Sequence, residues 1–153
     1  MSSTSAKVAT TLVTGASASA REQAIAALLA RLPGQAATHH PDAPAGAHID
    51  SSSSSSSGAA TARLESAVIL EGMAASSTPL VSTSSLQVVR IAPGCLCCDG
   101  NLVLRVTLNR LLRQRPRHLY IGLARSEHLD QLRSWLQDAP YDQLLALNPD
   151  IQT

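Results

Sequence analysis

At 153 residues the chain is long enough for one domain with a real core. Its net charge of +1 creates no field that would point to nucleic acid or an anionic membrane surface as a partner. No segment reaches the roughly 20 apolar residues of a membrane helix, and Met1 to Thr11 has no apolar stretch of signal-peptide length, so the expected location is the cytoplasm, with no membrane partner.

Apolar residues make up 44% of the chain, but Phe is absent and the only aromatics are Trp135, Tyr120 and Tyr141. The core must therefore be built from Ala, Leu, Val and Ile. Lys7 is the only lysine, which matters below.

Residues 7–13 predict a first strand, because β-branched residues dominate and Gly15 ends the run. Residues 20–32 predict a helix, with Ala24, Ile25, Leu28, Leu29 and Leu32 at helical spacing, Ser19 as its cap and Pro33-Gly34 as its stop. A low-complexity insertion at about 34–62 holds Pro41, Pro44, Gly46, three histidines and the run Ser51–Ser57, and has little to bury. Ala67–Leu70 predicts a short buried strand, 72–85 a Ser/Thr-rich loop, and Leu86–Ile91 a strand that runs into Pro93-Gly94. Asn101–Arg115 predicts a helix with Leu104, Leu108, Leu111 and Leu112 on one face, capped by Asp99 and ended by Pro116. His118–Leu123 predicts a strand. Ser126–Gln137 predicts a helix capped by Ser126, with Leu129, Leu132 and Leu136 inward, and Gln143–Leu147 a last strand.

Strands that alternate with helices point to an α/β fold: a mainly parallel sheet with helices on both faces. Ligands bind such sheets at the carboxyl ends of the strands. Two features fall there, the turn at Gly15 and the segment after Ile91.

The second of these is Gly94-Cys95-Leu96-Cys97-Cys98. In a reducing compartment, three clustered cysteines read as metal-binding or redox-active rather than as a disulfide framework. Thiolates at i, i+2 and i+3 converge on one ion if the backbone curls, and Gly94 and Gly100 permit the bends. Zinc prefers four tetrahedral ligands, so one place stays open; thiolates alone suit Cu(I) equally. Glu71, Asp99, His39, His40 and His48 are candidates for the fourth ligand, as are a water or a second chain. The alternatives are inert buried cysteines and a strained, easily reduced Cys97–Cys98 disulfide. The histidines of the insertion, His118 and His128 read as surface residues.

The first feature has the layout of a phosphate loop, strand–Gly–helix. The pattern G-x-x-x-x-G-K-[ST], started at Gly15, meets Ala20, Arg21 and Glu22 where Gly, Lys and Ser/Thr are needed. Lys7 precedes the strand and cannot substitute. Arg21 keeps a positive charge without the compact geometry of Lys, and Glu22 brings a negative charge next to the phosphate position. The helix N-terminus could still attract an anion.

A phosphate-loop-like turn followed by G-C-x-C-C at a later strand end resembles the CobW-like branch of the phosphate-loop GTPases, related to the nickel-insertion GTPases of hydrogenase and urease maturation. Gly94–Cys98 matches the family's metal loop intact, and Gly122-Leu123-Ala124 matches a Gly-Leu-Ala segment after the next strand. The resemblance runs from Val8 to Leu147 without the insertion, roughly the N-terminal half of such a domain. It implies a phosphate-loop-NTPase-like fold, incomplete relative to the family, and zinc or other thiophilic-metal handling coupled to GTP hydrolysis by a metallochaperone or metal-insertion factor. Departures fall on the nucleotide positions: Ala20, Arg21 and Glu22 in the loop, Leu119, Tyr120 and Ile121 before Gly122, and Arg125 in place of Asp. The guanine-reading N-K-x-D element and the family's C-terminal domain are missing from the sequence up to Thr153.

The expectation is thus a single degenerate CobW-like nucleotide-binding domain across residues 1–153. Cys95, Cys97 and Cys98 hold the metal, and a degraded turn at Gly15, Ala20, Arg21 and Glu22 handles GTP and Mg²⁺ poorly or not at all. Its partners would be the metal ion and a client metalloprotein or an intact paralogue, not nucleic acid. The rival expectations are a GTPase working with Arg21 in place of Lys, and a non-catalytic interaction protein with relic cysteines.

Overall fold

The computed structural model describes residues 6–32, 64–73, 79–92, 101–127 and 129–153. The expected insertion, the cysteine loop and the expected cap Asp99 lie outside them.

The elements follow as β1 (Val8–Thr14), α1 (Ala18–Ala30), β2 (Ser66–Glu71), β3 (Leu86–Ile91), α2 (Asn101–Arg113), β4 (His118–Leu123), α3 (Leu129–Gln137), α4 (Tyr141–Leu144), β5 (Leu145–Leu147) and β6 (Ile151–Gln152). The sheet order is β3-β2-β4-β1-β5, with β6 also on β1, and every pairing is parallel. This is the expected α/β architecture, and it is compatible with a phosphate-loop-NTPase-like fold.

Direction of travel explains which helix covers which face. From β1 the chain moves two places toward the β3 edge to reach β2. From β3 and from β4 it moves the opposite way. Parallel crossovers are right-handed, so opposite directions place helices on opposite faces. The two cores show this separation. Ile25 and Leu29 of α1 pack with Val13, Val68, Leu70 and Tyr120. Leu104, Leu108 and Leu111 of α2, Leu129, Leu132 and Leu136 of α3, and Tyr141 pack with Leu12, Ile69, Leu119 and Ile121. Successive residues of β1, β2 and β4 thus feed alternate cores, and their sequences read as continuous apolar runs because neither face is wet.

Two expectations change. The helix cap is Ser17 rather than Ser19: Ser17 is extended and its hydroxyl accepts from the Ala20 N–H. The stretch expected as one strand over 143–147 is the end of a helical turn followed by the short β5, and β6 follows. The Asn148 N–H still bonds the Thr10 carbonyl at 2.8 Å, but the pairing with β1 shifts by one residue beyond it, from Thr10 opposite Leu147 to Val13 opposite Ile151. This edge is therefore two short strands rather than one. Trp135 and Tyr141 supply the one aromatic contact among the described residues, with ring centres 4.8 Å apart.

Gly122 sets the approach of α1 to the sheet. A Cβ there would lie 2.9 Å from Leu70 Cδ2 and 3.5 Å from Ile25 Cδ1. Gly122→Val therefore overfills this core and should lower unfolding free energy by about 1–3 kcal/mol in urea titrations, with the m-value unchanged.

Candidate functional site at the carboxyl edge

The turn after β1 leads to α1 on one face, and the turn after β4 leads to α3 on the other. The crevice between their carboxyl ends is therefore the topological switch point, where open α/β sheets take ligands. A cavity of about 260 Å³ lies there, walled by Gly15 and Ala16 on one side and by Ala124, Arg125 and Ser126 on the other. Thr153 closes its far side. Its N–H donates to the Thr14 carbonyl at 2.9 Å, and a Cβ added at Gly15 would collide with its hydroxyl and stand 2.9 Å from its carbonyl. Only glycine fits beneath it.

Arg21 lies in the first turn of α1, and its side chain turns into the protein. The residue is 3% exposed. Nη1 donates to the Gly15 carbonyl and Nη2 to the Glu71 carbonyl at 3.1 Å, while Nε is buried with no partner among the described residues. Burial pulls the guanidinium pKa down, and the Glu71 charge opposes that pull. The Glu71 carboxylate also accepts the Ala124 N–H at 2.9 Å. One cation and one anion thus join the turn after β1, the end of β2 and the turn after β4. A phosphate loop presents N–H groups to an anion; here the Gly15 carbonyl faces a cation.

Glu22 does not face the crevice, contrary to the expectation that its charge sits beside the phosphate position. Its side chain is 4% exposed and Oε1 lies 2.6 Å from Arg90 Nη2. Oε1 also accepts the Leu80 N–H at 2.5 Å, and Arg90 Nη2 donates to the Leu80 carbonyl at 3.3 Å. The ion pair thus pins residues around Leu80 between α1 and β3. Ala20, the third altered position, supplies only the N–H bonded by Ser17. Lys7 donates to the Asp142 carbonyl at the opposite end of β1, as its sequence position requires.

The structure therefore brings Gly15, Arg21 and Glu71 together and turns Glu22 away. Cys95, Cys97, Cys98, His39, His40, His48, Asp99 and His128 lie outside the described residues. Glu71, the described candidate for a fourth metal ligand, pairs in register with Ile91, four positions before Cys95. Among the described residues no group of three or more His, Cys, Asp or Glu is placed to hold a metal, and no helix is long and apolar enough to cross a membrane. Sequence reading missed the part played by Arg90. Its signal was the one charge inside the mostly apolar strand Leu86–Ile91, which implies a partner for it.

No protein-family model, curated protein or solved structure matches the chain.

Burial pushes the Glu22 carboxyl pKa up, but the Arg90 hydrogen bond, the Leu80 N–H and the Arg90 charge outweigh it, so the net shift is downward. The associated stability is complete above the unfolded-state value and is lost as pH falls through the lower folded value. Glu22→Gln should cost about 2 kcal/mol at neutral pH, because Arg90 remains partly buried without its anion. It should also flatten the acid limb of a stability-versus-pH curve measured by urea unfolding.

Proposed function

We propose that the chain is a thiolate metal-binding protein, for zinc or another thiophilic transition metal, built on a degenerate CobW-like domain that does not hydrolyse GTP. Cys95, Cys97 and Cys98 are its ligands. The observation that carries this reading is the parallel register of β2 and β3, Glu71 opposite Ile91. It puts the end of β3, four positions before Cys95 in the sequence, at the same carboxyl edge as Gly15 and Arg21, the edge where α/β proteins hold ligands.

The nucleotide half of the reading rests on Arg21. Hydrolysis in this class depends on a Lys reaching the β- and γ-phosphates and a hydroxyl on Mg²⁺. Arg21 instead spends two donors on backbone carbonyls, Glu22 is paired to Arg90, and Arg125 borders the crevice where the family resemblance calls for an Asp. The role that remains is metal sequestration or delivery in the cytoplasm, to a client metalloprotein or through an intact paralogue, without nucleic acid.

Protein purified without chelators should contain about one zinc per chain, from the capacity of one tetrahedral thiolate site, by elemental analysis. The Cys95→Ser, Cys97→Ser, Cys98→Ser triple variant should contain almost none; equal metal in both rejects the proposal. Calorimetry with GTP and Mg²⁺ should give no binding at millimolar concentration. Arg21→Lys, which restores the motif's lysine by type, should not create binding, since Ala20 and Glu22 still lack the second glycine and the hydroxyl. Nucleotide-dependent heat from the unaltered chain would favour a residual GTPase instead.

A further inference from the structure

A larger cavity, of about 550 Å³, lies at the other end of the sheet, between the start of β1, the turn from α2 to β4, and α4. This volume is in the range of small-molecule sites. Its walls divide into two kinds. Leu112, Pro116 and Leu144 are apolar, with Leu144 43% exposed. Lys7, Arg115 and Arg117 are cationic, and among the described residues no acidic one lines the space.

Two of the three cations are partly engaged. Lys7 donates to the Asp142 carbonyl at 2.9 Å, and Arg117 Nε stands 3.5 Å from Glu65 Oε2 on a half-open surface. The third is different. Among the described residues the Arg115 guanidinium has no hydrogen-bond or ion-pair partner, and its backbone has φ +51°. It closes α2, its N–H donating to the Leu112 carbonyl at 3.1 Å. This is the left-handed position after a helix that glycine fills most easily. It also precedes Pro116, where extended backbone is preferred. The chain thus holds a long cation at a conformationally unfavourable position, over a cavity whose walls are half apolar.

We infer that this cavity binds a small amphipathic anion: a carboxylate or phosphate head held by Arg115, with Lys7 and Arg117 beside it, and an alkyl tail against Leu112, Pro116 and Leu144. The site is separate from the carboxyl-edge metal reading, and neither depends on the other. Desolvation by the apolar wall strengthens the charge-assisted bonds to the head. The tail distinguishes the ligand from free phosphate, which gains nothing from Leu112 or Leu144.

Titration calorimetry of the full chain tests this, using decanoate and decyl phosphate below their micelle concentrations, with inorganic phosphate and the neutral decyl glucoside as controls. At least one anionic amphiphile should bind at a single site, and both controls should bind at least about tenfold more weakly, the loss of one charged hydrogen bond or of the tail's burial. A preference between the two identifies the head as carboxylate or phosphate. Arg115→Gly should weaken binding about tenfold while raising Tm by about 2–4 °C, because glycine relieves the backbone. Arg115→Gln, which keeps the side chain's length and the backbone burden, should lose the same affinity without the gain in Tm. The inference is overturned if neither amphiphile binds at millimolar concentration, if either control binds equally well, or if both variants keep full affinity.

Discussion

β4 hydrogen-bonds β1 on one side and β2 on the other, all parallel, while α1 covers one face of these strands and α2, α3 and α4 cover the other. With both faces and both edges of the central strands committed, their side chains have nothing left to offer solvent. Leu12, Val13, Val68, Ile69, Leu119 and Ile121 are fully buried as a result. The central strands themselves can present chemistry only where they stop. The two cavities described above lie at opposite ends of the sheet, and the parallel arrangement gives the two ends different characters.

The carboxyl end carries the switch-point crevice, and there the protein has turned its own charges inward. In an interior with no Phe, an arginine stem is a large piece of apolar filling as well as a cation. Arg21 places that stem under α1 and spends its head on the carbonyls of Gly15 and Glu71. Glu22, one residue on, points toward Arg90 and Leu80. The positions that would serve phosphate and Mg²⁺ in a working phosphate loop here hold the first turn of α1 to its neighbours. Such buried pairs cost much to break and add less than their contacts suggest when intact. They are effective at fixing which segments lie together.

The amino end has the opposite character. Residues there come from the start of β1, the α2–β4 turn and α4, and among them Arg115 borders an apolar-walled space without an ion-pair partner among the described residues, beside the partly engaged Lys7 and Arg117. The left-handed Arg115 is the point where local backbone preference and the observed residue disagree. Disagreements of that kind concentrate at places that do something other than stabilise the fold.

The sequence by itself determined the elements and their inward faces. The β-branched runs, the leucine spacing of α2 and α3, and the stops at Pro33 and Pro116 are local signals, and they locate β1 to β4 and the three long helices to within a few residues. The reading of the G-C-x-C-C segment comes from the sequence alone, since it lies outside the described residues. Only the tertiary structure decided what Arg21 and Glu22 do, since their partners lie 50 and 68 residues away. It also decided that Ser17 rather than Ser19 caps α1, and that residues 145–152 split into two short strands along β1. The physical reason is the same in each case. Periodicity and capping report the local environment, whereas the destination of a buried charge or a short edge strand is set by whichever distant group arrives beside it.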